Sequence, residues 1–317
     1  MNGRGCDGMR TMWCVSVLGS PPGDLVLVGI PVDSAGVVSR DDAPHGCELA
    51  PAALRSAGLA AALGAEDGGD VNVRIVGQAR DAATGIIGWA SVSEVTKAVR
   101  GHVSELLAHE KIPVLVGGCC TPLPGALAAA RDILGPVGLA YVDGHLDLYD
   151  GKTSPTGEAA DMPIAVISGL GPAAWCEQVG APLVPPGRLA LLGPADRDEA
   201  AALGSALPEE LGIDPELAPA ALRSTGLAHA AQAAVAGLGE RYWVHLDVDV
   251  LDRREFPAVD YPNDNGVTLD ELATLLPPLT HSPGMIGFSL ACYNPAKDPG
   301  DGARVLTELL GRALTAV

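Results

Sequence analysis

From Leu25 onward, short apolar runs alternate with longer Ala- and Leu-rich stretches. That alternation marks βαβ units around a parallel sheet, because strands buried on both faces read as continuous apolar runs. Strands are predicted at Leu25–Ile30, Val71–Val76, Pro113–Val116, Leu139–Val142, Leu189–Leu192, Tyr242–Asp247 and Met285–Leu290. Helices are predicted over Pro51–Leu63, Val92–His109, Leu123–Leu134, Pro219–Leu238, Leu269–Leu276 and Asp301–Leu314. Pro51 and Pro219 in first turns, and Ser91 ahead of Val92, serve as start signals. The 40 glycines and 26 prolines gather at the junctions, with no internal repeat and no low-complexity linker. Residues 25–317 therefore read as one α/β domain. Residues 1–24 read as a disordered or extended tail, or in part as an over-long start with Met9 or Met12 as the true beginning.

Composition narrows the picture. Hydrophobic residues make up 48% and aromatics only 3%, so the core must be built from Ala, Val, Leu and Ile. With 39 acidic and 20 basic residues, the net charge of −19 excludes a nucleic-acid or anionic-membrane surface, which needs positive potential. No apolar run is long enough to span a bilayer. The seven cysteines (6, 14, 47, 119, 120, 176 and 292) are odd in number and form no C-x-x-C pair. A reducing cytoplasm is the expected location.

The chemistry concentrates in two segments, Asp143-Gly144-His145-Leu146-Asp147 and Asp247-Val248-Asp249, each directly after an apolar run. Carboxylates placed there emerge where strands end, the position at which open α/β sheets bind ligands. Alternate residues of an extended segment share a face, so Asp143, His145 and Asp147 converge, as do Asp247 and Asp249. A single acidic pair after a strand is more often a helix cap. Two clusters, one with an internal His, point instead to a cation that offsets their repulsion. Oxygen and imidazole donors suit Mn, Zn, Fe or Co.

The segment from His245 to Gly266 resembles the signature S-x-D-x-D-x-x-D-P-x-x-x-P-A-x-x-x-P-x-x-x-G of the arginase and agmatinase family, the ureohydrolases. Asp247, Asp249, Asp252, Pro257, Pro262 and Gly266 match, while His245 stands for Ser and Arg253 for Pro. The other cluster is similar to the family's D-x-H-x-D, and Gly29-Ile30-Pro31 and Gly46 to Pro51 to its amino-terminal elements. The resemblance implies a three-layer α/β/α fold with a central, mostly parallel sheet of about eight strands, a trimer or hexamer of identical chains, and two Mn ions bridged by hydroxide. It implies that Asp143 and Asp247 bridge both metals, that Asp147 holds one, and that His145 and Asp249 hold the other.

Several positions depart from the pattern. The family's G-G-x-H turn reads Gly117-Gly118-Cys119-Cys120, which puts Cys120 in the sixth ligand position and shifts preference toward Zn, Fe or Co. The loop S-G-N-x-H-G-x-P reads Thr156-Gly157-Glu158-Ala159-Ala160-Asp161-Met162-Pro163, so the proton-shuttling His has become Ala160. Glu158 replaces an Asn, and Tyr149 fills another substrate position. The family's E-V-N-P reads Cys292-Tyr293-Asn294-Pro295, which removes the Glu that pairs with a guanidinium. Asp196 and Asp198 match the acidic pair near the substrate's amino end.

The expected function is hydrolysis of a C–N bond in a modified guanidino or amidino compound, such as a hydroxyguanidine, by attack of a metal-bridging hydroxide. Glu158 or Asp161 is the expected acid, and Tyr149, Thr156, Asp196, Asp198 and Cys292 are the expected substrate contacts. The alternative is a catalytically silent relative with a metal- or metabolite-binding, regulatory or structural role.

Overall fold

The computed structural model describes residues 25–34, 46–77 and 79–315, so the predicted tail lies outside the described residues. Eight strands form one all-parallel sheet: β1 (Leu25–Ile30), β2 (Glu66–Asp70), β3 (Ile112–Gly117), β4 (Gly138–Val142), β5 (Leu189–Leu192), β6 (Glu216–Leu217), β7 (Tyr242–Asp247) and β8 (Met285–Ala291). Their order across the sheet is β2-β1-β3-β8-β7-β4-β5-β6. Both faces are covered. Helices Trp89–Ala108, Leu123–Leu134, Pro163–Ser168 and Ala173–Val179 bury residues such as Val95, Leu127, Ile164 and Trp175 against one face. Helices Ala50–Ser56, Leu59–Leu63, Leu227–Leu238, Leu269–Thr280 and Gly302–Leu314 bury Leu54, Leu63, Leu238, Leu276 and Leu310 against the other. The result is the expected three-layer α/β/α architecture.

Six strands fall where the apolar runs place them, and the two edges do not. The expected strand Val71–Val76 is irregular, and β2 instead uses Glu66-Asp67-Gly68-Gly69-Asp70, exposed along its whole length. Side-chain ties hold this polar segment. Arg55 bonds Asp67 at 3.0 Å and also Asp70, while a Cβ on Gly29 would meet Asp70 Oδ1 at 1.9 Å and displace that carboxylate from its present position. At the other edge, β6 is only two residues long. Short or charged edges protect a sheet against further pairing, and they leave no apolar signal to read.

Two predicted helices are each broken in two by a glycine in the left-handed region, Gly58 (φ 88°) and Gly226 (φ 86°). Ser91 is not a cap. The helix begins at Trp89, and the Ser91 hydroxyl bonds the backbone of Val76 instead.

The topology places the chemistry. β3, β8, β7 and β4 are neighbours at the middle of the sheet, and their carboxyl ends lead into Cys120, Cys292, Asp247 and Asp143 respectively. That edge is where parallel sheets of this kind hold ligands.

Candidate metal centre

Cys120, Asp143, Asp147, Asp247, Asp249 and Cys292 are all buried, none more than 6% exposed. His145 is partly open, with 30% of its side chain exposed. Close turns bring them together. After β3, a Cβ on Gly118 would lie 1.5 Å from the carbonyl oxygen of Val32, so only glycine lets the chain turn into Cys119 and Cys120. After β4, Asp143 caps its own turn by accepting the His145 amide at 2.7 Å, and after β7 Asp247 accepts the Asp249 amide at 2.9 Å. The two loops are joined where the Gly144 amide donates to Asp249 Oδ1 at 3.2 Å. Asp147 and Cys292 hold φ values of +49° and +63°. Such backbone costs about 1–3 kcal/mol per residue and persists where surrounding contacts impose it.

Donor atoms gather into three overlapping groups, each with its atoms within 4.8 Å of one another: Cys120, Asp143, His245 and Asp247; Asp143, His145 and Asp249; and Asp247, Asp249 and Cys292. Asp143, Asp247 and Asp249 each belong to two groups, so three carboxylates are placed to be shared between neighbouring ions. Asp147 belongs to none of them, and its Oδ2 accepts the hydroxyl of Tyr141 instead. His245, which the sequence marks only as a replacement for Ser, is fully buried with Nε2 3.3 Å from Cys120 Sγ. Its position two residues before Asp247 was the available signal, since alternate strand residues share a face.

The electrostatics call for a cation. Burial, then the neighbouring carboxylates, push Asp147, Asp247 and Asp249 above the usual carboxylate range, with the His145 imidazole pulling Asp147 and Asp249 back part of the way. Burial alone would lower His145, but Asp249 at 3.2 Å and Asp143 outweigh it and raise its pKa. Burial lowers His245 to about 4, so its imidazole is neutral with a lone pair to offer. Without a metal the cluster must take up protons, whereas divalent cations satisfy the same oxygens, nitrogens and sulfurs directly. The residues present therefore fit a divalent metal pair.

The loop from Tyr149 to Asp161 follows the Asp143–Asp147 segment and comes near His145. Arg80 pins it through the carbonyls of Gly151 and Ser154 at 3.1 and 2.9 Å. Ser154 and Thr156 donate to Asp161 Oδ2 at 2.6 and 3.2 Å, leaving the buried Oδ1 without a partner. Burial raises Asp161 to about 7. Glu158 is buried and accepts the Tyr261 hydroxyl at 2.7 Å, and the Tyr261 ring stands edge-on to His145 at 6.3 Å. Asp196 Oδ1 accepts the Leu146 amide at 3.0 Å while its buried Oδ2 has no partner, and burial raises it to about 6. Tyr149 is buried, and burial and Asp196 raise its phenol. Asp198 is exposed in the first turn of the next helix. A separate trio, Asp33, Cys47 and Asp260, already has positive charge from Lys297, 2.8 Å from Asp260.

A parallel three-layer sheet with buried carboxylate, imidazole and thiol donors at its carboxyl edge defines an α/β protein of the metal-binding type. Residues 23–315 match the arginase family model, and the chain belongs to that family, whose hydrolases act on C–N bonds other than peptide bonds. It is 27% identical over 161 residues to an arginase of Staphylococcus aureus, covering 49% of this chain and 53% of that protein, so it spans about half the length of that relative. It is 26% identical over 296 residues to the arginase of Bacillus caldovelox, covering 90% of this chain and 96% of the other. The structure of that arginase superposes with a TM-score of 0.80 at 22% identity, covering 92% and 98% of the two chains. The formimidoylglutamase of Bacillus subtilis shares the fold with a TM-score of 0.70 at 18% identity, covering 92% and 86%.

Proposed function

We propose that this protein is a metal-dependent hydrolase that cleaves a C–N bond of a modified guanidino or amidino compound, such as a hydroxyguanidine. The observation that carries the reading is the buried donor cluster together with two orphaned carboxylate oxygens, Asp161 Oδ1 and Asp196 Oδ2, on residues close enough to interact electrostatically with His145. Two divalent cations held by the cluster would supply the charge that lets a water ionise near neutral pH and that stabilises the tetrahedral adduct formed at the substrate carbon.

The chain's own residues do the rest. Glu158, fixed by Tyr261, and Asp196 face the substrate's cationic part and replace the counter-charge absent at Cys292. Asp161, protonated near neutrality, gives its proton to the departing nitrogen, and the hydroxyls of Ser154 and Thr156 hold it in place. Tyr149 and Thr156 line the approach. A hydroxyguanidine is less basic than a guanidine and reacts partly neutral, which suits a site with Ala160 and Cys292 in place of a shuttle His and a Glu. A homo-oligomer, trimer or hexamer, and a cytoplasmic location complete the reading. The described cysteines, all unpaired, support that location.

The test is an assay of protein reconstituted separately with Mn, Co, Zn and Fe against a panel of guanidino, hydroxyguanidino and amidino compounds. Release of urea, hydroxyurea or ammonia supports the reading. No turnover by fully loaded protein overturns it in favour of a catalytically silent relative.

A further inference from the structure

We infer that His245 is a metal ligand, and that with Cys120, Asp143 and Asp247 it makes one half of the centre a thiolate–imidazole site selective for Zn(II), Co(II) or Fe(II) over Mn(II). The inference rests on the metal-binding reading of the cluster, but not on any substrate.

The four donors are close enough together to serve one four-coordinate ion. Ligands about 2.0–2.3 Å from a tetrahedral ion stand about 3.3–3.5 Å apart. Cys120 Sγ lies 3.3 Å from His245 Nε2, 2.8 Å from Asp247 Oδ2 and 3.9 Å from Asp143 Oδ2, and all four donor atoms fall within 4.8 Å of one another. The carboxylate that would otherwise complete this half, Asp147, is engaged by Tyr141.

The imidazole is also oriented as a ligand. A metal-bound His gives its second ring nitrogen to a fixed partner, which sets the tautomer. Here that partner is Ser289 Oγ on β8, 2.7 Å from Nδ1. Trp243 Nε1, which can only donate, occupies one lone pair of that hydroxyl at 3.0 Å. The hydroxyl keeps a second lone pair that can receive Nδ1–H, the tautomer that presents a bare Nε2 to a metal beside the sulfur. Tyr141 stacks on the ring with centroids 4.9 Å apart and planes 11° from parallel, which fixes its rotation.

His245 and Cys120 thus form a paired exchange. β3 and β7 are separated only by β8, so an imidazole carried on β7 reaches the space that the turn after β3 also reaches. The chain keeps one nitrogen ligand at this half and adds a sulfur. Softer donors favour Zn, Co or Fe over Mn.

The experiment uses the full chain, stripped of metal and titrated with Co(II), with electronic absorption and elemental analysis as readouts and no substrate present. The wild type should show a thiolate-to-cobalt charge-transfer band and the intense visible bands of a four-coordinate ion. Cys120→Ser should lose the charge-transfer band. His245→Asn, which keeps a polar contact to Ser289 but lacks Nε2, should keep that band, change the visible bands and bind the first Co(II) more than about 100-fold more weakly. Ser289→Ala should weaken it by the about 10–100-fold typical of lost outer-shell partners. The double variant Cys120→His/His245→Ser should lose about tenfold or more of its preference for Co(II) over Mn(II).

The inference is overturned if His245→Asn, with the wild-type circular dichroism spectrum, binds Co(II) with unchanged affinity and spectrum. It is overturned equally if the wild type shows no thiolate band. Should His245→Asn fail to fold, Ser289→Ala decides, and unchanged cobalt affinity there overturns it. Because no turnover is measured, failure of the substrate panel leaves this result standing, and failure here leaves hydrolysis at the cluster standing.

Discussion

The phenol ring of Tyr141 stacks on the imidazole of His245 at 4.9 Å, and its hydroxyl donates to Asp147. One side chain therefore steadies a ring on β7 and a carboxylate after β4. Tyr141→Phe should keep the stacking but leave a buried carboxylate short of a donor, lowering the stability of metal-free protein by about 1–3 kcal/mol. Tyr141→Ala should cost about 3–5 kcal/mol and loosen the imidazole as well. Denaturant unfolding of both variants checks the order, and equal losses would mean the ring contributes nothing beyond its hydroxyl.

Gly118→Ala forces a Cβ to within 1.5 Å of Val32 O, a backbone atom that cannot swing aside. The turn carrying Cys120 must shift. We expect at least about 1–3 kcal/mol of destabilisation and loss of the thiolate band in cobalt-loaded protein. Unfolding and absorption spectra test both.

Metal and pH are linked through the buried carboxylates. The folded-state pKa values of Asp147, Asp247 and Asp249 are raised, so the folded chain holds protons that the unfolded chain releases. Their favourable contribution is complete below the unfolded value of about 3.9 and is lost as pH climbs toward the folded values. Metal-free protein should thus weaken as pH rises above about 4. A divalent ion at a thousandfold excess over Kd should add about 4 kcal/mol and release protons on binding. Thermal melts at several pH values and calorimetry in buffers of different ionisation enthalpy read these effects.

Asp161 is raised to about 7 by burial. As a proton donor it works only when protonated, so turnover should fall as pH rises through about 7. Asp161→Asn should reduce kcat by about 10²–10⁴-fold and flatten that limb of the profile. A profile unchanged in shape would remove Asp161 from the role.

Glu158→Gln keeps the size of a side chain buried against Tyr261 while deleting its charge. We expect a higher KM for cationic substrates, with metal stoichiometry by elemental analysis unchanged. Equal KM values for the two proteins would sink the counter-charge role.

The inner sheet was legible because its strands are buried on both faces and read as apolar runs. The edges β2 and β6 were not, since an edge strand is specified by its neighbour's free backbone groups and not by its own side chains. Glu66 to Asp70 contain no apolar residue at all. The helix breaks at Gly58 and Gly226 were missed because glycine alone does not announce a left-handed turn. At the site, the carboxylates were legible from their two-residue spacing. The meeting of His245 with Cys120 was not, because residues 125 apart in sequence meet only through the order of the strands.

That order also sets when the centre can exist. β2-β1-β3 and β4-β5-β6 are separate blocks that share no hydrogen-bonded strand until β7 and β8 slot between them. During synthesis, Asp143, His145 and Cys120 emerge long before the strands that join their blocks. Metal binding at the full affinity of the site would therefore require the last two strands to be in place, and metal retention would report on their docking.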